Sequence, residues 1–128
     1  MEFEKAELVI KNFETEVTAF LKENTLSELK TFNNLKDKEN IGEVYRHDQW
    51  YFENISSFKT KYFSLKAYFI KEQVNNSERT LSRRIDSMLS YLEEQIKMLD
   101  LILNTAKQRI KFYENVIYLV SNFNYGNY

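Results

Sequence analysis

Residues 41–69 read IGEVYRHDQWYFENISSFKTKYFSLKAYF. Within this run Ile41, Val44, Asp48, Tyr51, Ile55, Phe58, Tyr62, Leu65 and Phe69 recur at alternating steps of three and four. That alternation gathers them on one face of a helix, whereas a strand would need a period of two. The spacing predicts a long, straight helix whose apolar seam is interrupted once, at Asp48. Trp50, between Tyr45 and Phe52, points to a second covered side at this level.

Working downstream, Leu81, Ile85, Met88, Leu92, Ile96, Leu99, Leu103, Ala106, Ile110, Tyr113, Ile117 and Val120 repeat the pattern. One additional four-step, from Leu92 to Ile96, would locally unwind a supercoil. Asn75-Asn76-Ser77 breaks the periodicity and offers N-caps for this last helix. So short a connection makes the two long helices antiparallel, with Phe69 near Leu81, Phe58 near Leu92, Tyr51 near Leu99, and Asp48 near Leu103 and Lys107. A helix from about Ser77 to Ser121 would span roughly 65 to 70 Å, against a radius of gyration of about 14 Å for a compact domain of this length. Either the helix bends, or the hairpin is elongated and covered by the N-terminal helices or by another copy.

Upstream, Phe3, Ala6, Ile10, Phe13, Val17 and Phe20 predict a first helix with an acidic outer face. Thr25-Leu26-Ser27-Glu28 is a capping-box pattern, in which Thr25 caps a helix start and Glu28 reaches back to the Thr25 amide. Leu26, Leu29, Phe32 and Leu35 then predict a short second helix, and Lys36 to Asn40 a polar loop. The segment 121–128 lacks a helical period and reads as an irregular tail ending in aromatic residues. The expected fold is all-α: a four-helix arrangement, with a long antiparallel hairpin packed by two shorter N-terminal helices, in one domain over residues 1–128.

Composition supports this reading. The 128 residues contain no Pro and two Gly, Gly42 and Gly126, so the turn punctuation of a strand-rich fold is missing. No Cys is present, which removes disulfides, thiolate nucleophiles and thiolate metal sites from consideration. The N-terminal residues lack the basic start and apolar run of a secretory signal, and no segment approaches a membrane span. A cytoplasmic location is expected. Lys outnumbers Arg 13 to 5, and Asn, Ile, Tyr and Phe are abundant. Codons rich in A and T produce that usage, which hints at a bacterial or phage source.

Catalysis needs several convergent groups of matched pKa, and the inventory is thin. His47 is the single histidine, with Glu43 and Tyr51 one turn away on its face and Asp48 beside it. An ordinary packing role is expected for it. Asp86, Glu93 and Asp100 stand seven residues apart, about 10.5 Å along a helix, too far to clamp one ion. They read as a solvated flank. No catalytic residue, metal ligand or cofactor is therefore expected. Asp48 is different, because a carboxylate in an apolar seam is costly unless paired. A register-setting ion pair with Lys107 or Arg109 is expected, the alternative being a seam left open to a partner.

Charge is distributed unevenly. From Lys59 to Arg84 seven cations, Lys59, Lys61, Lys66, Lys71, Arg79, Arg83 and Arg84, face two carboxylates, Glu72 and Glu78, a surplus of five. Residues 1–48 instead carry seven cations and eleven carboxylates. The basic hairpin tip also bears Phe63 and Tyr68 off the core stripe. These seven cations, together with Trp50, Phe63 and Tyr68, form the expected partner-binding set, since exposed aromatic and basic residues anchor interfaces. Phe123, Tyr125 and Tyr128 add to the aromatic excess.

The segment Leu103 to Gly126, with Lys107, Arg109 and Ile117, resembles the C-terminal part of phage recombination mediators, which load a recombinase on single-stranded DNA. The resemblance spans about a fifth of the chain and implies no particular site residue. The leading expectation is a non-enzymatic protein-binding module that docks on a larger protein or ribonucleoprotein. A small phage or mobile-element inhibitor of a host nuclease complex, similar to an anti-CRISPR protein, is one instance. The alternatives are nucleic-acid backbone contact through the basic tip, in the manner of a recombination mediator, and a self-assembling coiled-coil subunit forming a homo-oligomer. No membrane partner is expected.

Overall fold

The structure, a computed structural model, describes residues 3–27, 38–75 and 78–126. The described residues form three helices and no strand: α1 (Phe3–Glu23), α2 (Lys38–Asn75) and α3 (Arg79–Gly126). The all-α expectation holds, while the four-helix arrangement does not appear among the described residues. Thr25, Leu26 and Ser27, the start of the expected second helix, are not helical, and the rest of that segment with its Glu28 lies outside the described residues. The expected irregular tail is also corrected, because α3 continues through residues 121–126. A helix already nucleated gains a hydrogen bond for each residue it adds, so modest formers such as Asn and Tyr extend it.

The chain sorts into two compact units. The first takes residues 1–24 and 56–100, hence α1, the second part of α2 and the first part of α3. Its core is the periodic stripe of each helix: Ala6, Ile10, Phe13 and Val17 from α1, Phe58, Tyr62 and Phe69 from α2, and Ile85, Leu92, Ile96 and Leu99 from α3. Aromatic edges knit α1 to α2. Phe13 meets Tyr62 at 4.7 Å and Phe58 at 5.8 Å between centroids, Phe20 meets Phe58 at 5.3 Å, and Phe3 meets Phe69 at 6.0 Å. All four are edge-to-face, an arrangement that adds about 0.5–1.5 kcal/mol per pair beyond burial itself.

The second unit takes residues 25–55 and 101–128. Here Ile41 and Tyr113 are buried against Val44, Tyr45, Val116 and Ile117, and Tyr51, Ile55, Leu103 and Ala106 are buried as well. α1 stops just before this unit. The Asn24 amide and its side-chain Nδ2 both donate to the Phe20 carbonyl, at 2.9 and 3.1 Å, closing the last turn of α1.

Within each unit α2 and α3 are antiparallel, and polar rungs along one flank show the register. In the first unit Lys59 pairs with Asp100, Lys66 with Glu93 at 3.1 Å, and Gln73 donates to Asp86. Each step of seven down α2 is thus met by a step of seven up α3. In the second unit the Tyr45 hydroxyl donates to Glu114 at 2.9 Å. The carboxylates Asp86, Glu93 and Asp100, expected to be a solvated flank, form one side of this ladder. Heptad spacing, which disqualifies them as a metal clamp, is what matches them to a heptad of donors on the opposite helix.

Candidate functional site

The Asp48 carboxylate is fully buried, at 0% exposure, and each of its two oxygens accepts from a named donor. Arg109 Nε donates to Oδ2 at 3.1 Å, and the Ser27 amide donates to Oδ1 at 2.9 Å. Arg109 Nη2 reaches Ser27 Oγ at 3.2 Å and the Tyr113 hydroxyl at 3.3 Å, and those two hydroxyls lie 3.2 Å apart. Burial pulls the Arg109 guanidinium down, but its bonds to Tyr113 and Asp48 outweigh that and hold it above its ordinary value. The paired reading of Asp48 is therefore the one observed, with Arg109 rather than Lys107 as partner. The seam at this level is closed. Ser27 went unforeseen, because its place in a capping-box pattern gave no sign that it would bond to a carboxylate 21 residues away.

His47 serves the same segment. Its Nε2 lies 2.8 Å from the Thr25 carbonyl; a carbonyl only accepts, so Nε2 carries the proton. The imidazole also leans on the Trp50 ring at 5.7 Å. Both bonds turn neighbouring residues of α2 into a clamp on Thr25 and Ser27.

The cations of the hairpin tip, by contrast, are partly spent inside the fold. Lys59 faces Asp100, Lys66 faces Glu93, and Arg84 reaches Glu7 on α1 at 3.2 Å. Arg84 also lies over the Phe3 ring at 4.2 Å, and Lys61 over Phe13 at 4.5 Å. Lys71, Arg79 and Arg83 are exposed, and among the described residues no carboxylate pairs with them. Of the aromatics, Phe63 is 47% and Trp50 44% exposed. Tyr68 is not the free ring expected. It packs edge-on against Phe69 at 5.4 Å, and burial together with neighbouring Glu72 raises its hydroxyl pKa. Phe123 and Tyr125 are helical but their side chains, like Tyr128, lie outside what is described.

Two further features were not anticipated. On α2, Phe63, Ala67, Ile70 and Val74 form a second stripe with steps of four, three and four; all are exposed, Val74 at 80%. On α3, in the second unit, Leu101, Phe112 and Leu119 share a face roughly opposite the core stripe, and Leu101 is 70% exposed. A search restricted to the strongest seam in each helix passes over such secondary stripes, although the same three-four count finds them. A groove of about 620 Å³ between α1 and α3 of the first unit is lined by Glu4, Glu7, Ile10, Glu14, Arg84 and Tyr91 among others.

No family model, curated protein or solved structure matches this chain. Geometry and chemistry therefore carry the functional reading. Among the described residues no group of three or more His, Asp or Glu is placed to hold a metal ion. No helix among them is long and apolar enough to cross a membrane.

Proposed function

We propose that this chain is a non-catalytic docking protein, which presents apolar seams of its long helices to a larger protein. The observation that carries this reading is the pair of secondary stripes, Phe63-Ala67-Ile70-Val74 on α2 and Leu101, Phe112 and Leu119 on α3. Single exposed apolar residues are ordinary, but aligned sets of them on rigid helices are the mark of a binding surface. Direct nucleic-acid binding draws less support, because Lys59, Lys66 and Arg84 already have carboxylate partners.

The test is affinity capture from a nuclease-treated cell lysate, using the wild-type chain and two variants, Ile70→Ser with Val74→Ser and Leu101→Ser with Phe112→Ser. A protein retained in stoichiometric amount by the wild type and lost from at least one variant is expected. Equal retention by all three would overturn the reading, provided circular dichroism shows intact helices.

A further inference from the structure

The exposed stripe of α2 has a definite chemical setting. Phe63, Ala67, Ile70 and Val74 follow the four-three-four spacing of a helix-packing seam, about 16 Å long. Phe63, Ile70 and Val74 are 47%, 45% and 80% exposed. Small Ala67 leaves a dip between Phe63 and Ile70, which receives a side chain of an approaching helix. On a helical projection Lys59 and Lys66 border one side of the seam, and Thr60, Ser64 and Lys71 the other. The single carboxylate of α2 beyond residue 55, Glu72, lies on the opposite side of the helix.

Resting on the docking reading above, we infer that this seam takes an amphipathic helix of another protein, one whose apolar ridge is flanked by Asp and Glu. Lys59 and Lys66 each hold one carboxylate of α3 and keep part of the side chain in solvent, 30% and 27% exposed. Lys71 is exposed on the other border. A second copy of the chain is the poorer occupant. Parallel self-pairing of the seam sets the Lys66 border of one copy against the Lys71 border of the next, and antiparallel pairing sets the border of Lys59 and Lys66 against itself. Like charges across a helix seam oppose pairing, while an acidic flank meets the exposed Lys71 in attraction. The seam is small, so the complex belongs to the weak and transient class of interfaces.

The experiment is selection on the full chain from a displayed library of helices about 18 residues long. Leucine is fixed at the heptad positions, and Glu, Asp, Gln, Lys and Arg are drawn at the flanks. Selected helices should be enriched in acidic flanks and bind with micromolar Kd. Affinity should fall at least tenfold for Ile70→Asp and about threefold for Lys71→Glu, both at exposed positions where circular dichroism should stay unchanged. Flanks with no acidic enrichment, or binders indifferent to Ile70→Asp, would overturn the assignment. Sedimentation with vesicles of phosphatidylserine and phosphatidylcholine, abolished by Ile70→Asp while no helix is selected, would overturn it in favour of a lipid surface. If the protein captured from lysate is still retained by Ile70→Asp, the docking reading survives and only this seam is excluded.

Discussion

At the scale of single residues, Asp48 and Tyr62 are buried polar groups with opposite fates. Asp48 is bonded at both oxygens, so Asp48→Ala leaves the Arg109 guanidinium and the Ser27 amide without their acceptor. Breaking a buried pair from one side costs about 3–5 kcal/mol. Arg109 keeps Tyr113, Ser27 and some solvent, so a loss of about 2–3 kcal/mol is expected in urea denaturation, within the scale of buried-pair effects. An unchanged midpoint would mean the pair is not holding the segment. The Tyr62 hydroxyl is buried with no partner among the described residues. Desolvation, reinforced by Glu14, pushes its pKa up to about 12, and Tyr91 beside the same carboxylate is raised as well. The folded chain thus keeps protons that the unfolded chain releases near pH 10. This contribution to stability is intact below about pH 10 and is lost as pH climbs toward 12. Tyr62→Phe should be at least as stable as the wild type at neutral pH, because no bond is lost. It should also lose less stability on titration from about pH 9 to 11.5; a slope equal to the wild type would place the titration elsewhere.

At the scale of elements, the helical period made most of the core readable in advance. Ile41, Tyr51, Ile55, Phe58, Tyr62 and Phe69 of the α2 stripe are buried, as are Ile85, Leu92, Ile96, Leu99, Leu103, Ala106 and Tyr113 of the α3 stripe. Burial follows period because a helix has one way to face its neighbour. The ladder was not readable in the same way. Lys59, Lys66, Asp100 and Glu93 show their spacing in the sequence, but the expected register, with Phe58 near Leu92, is about a heptad away from the observed one, in which Lys59 meets Asp100 and Lys66 meets Glu93. Ser27 is harder still, since one amide bonding to a remote carboxylate leaves no periodic trace. Gly42 offers a direct test of helix energetics. A Cβ there would meet only the end of the Arg46 side chain, at 3.9 and 4.0 Å, and no unusual backbone angle requires glycine. Gly42→Ala should therefore raise stability by about 0.5–1 kcal/mol. A destabilised variant in thermal melts would reveal a steric demand at that turn.

At the scale of the whole molecule, formal charge and available charge differ. The segment from Lys59 to Arg84 carries seven cations, but three are matched by Asp100, Glu93 and Glu7, and Lys61 rests on an aromatic ring. Affinity for single-stranded DNA should accordingly be weak. Its logarithm should fall against log salt with a slope of about −3, the value for the four cations without a carboxylate partner, rather than about −5 for seven. Fluorescence anisotropy with labelled oligonucleotides across a salt series measures it, and the steep slope would restore the tip as a nucleic-acid surface. The candidate site was legible in the sequence only as composition. The lysines, arginines and aromatics were visible, while their internal pairing and the outward stripe of α2 required the fold.

The rungs between α2 and α3 repeat every seven residues, and a repeating scale can be misread by one division. Slide one helix by a heptad and Lys59 faces Glu93 while Lys66 faces Asp86, with apolar positions again opposite apolar ones. Charge and hydrophobicity are thus degenerate under this displacement. Asp48 and Arg109 are the index mark that removes the ambiguity, because the same slide strands the carboxylate against Ile102. Replacing both by leucine should give a chain that tolerates denaturant as well as the wild type, yet divides between frames, visible as doubled amide resonances. One set of resonances would mean that alignment is encoded elsewhere.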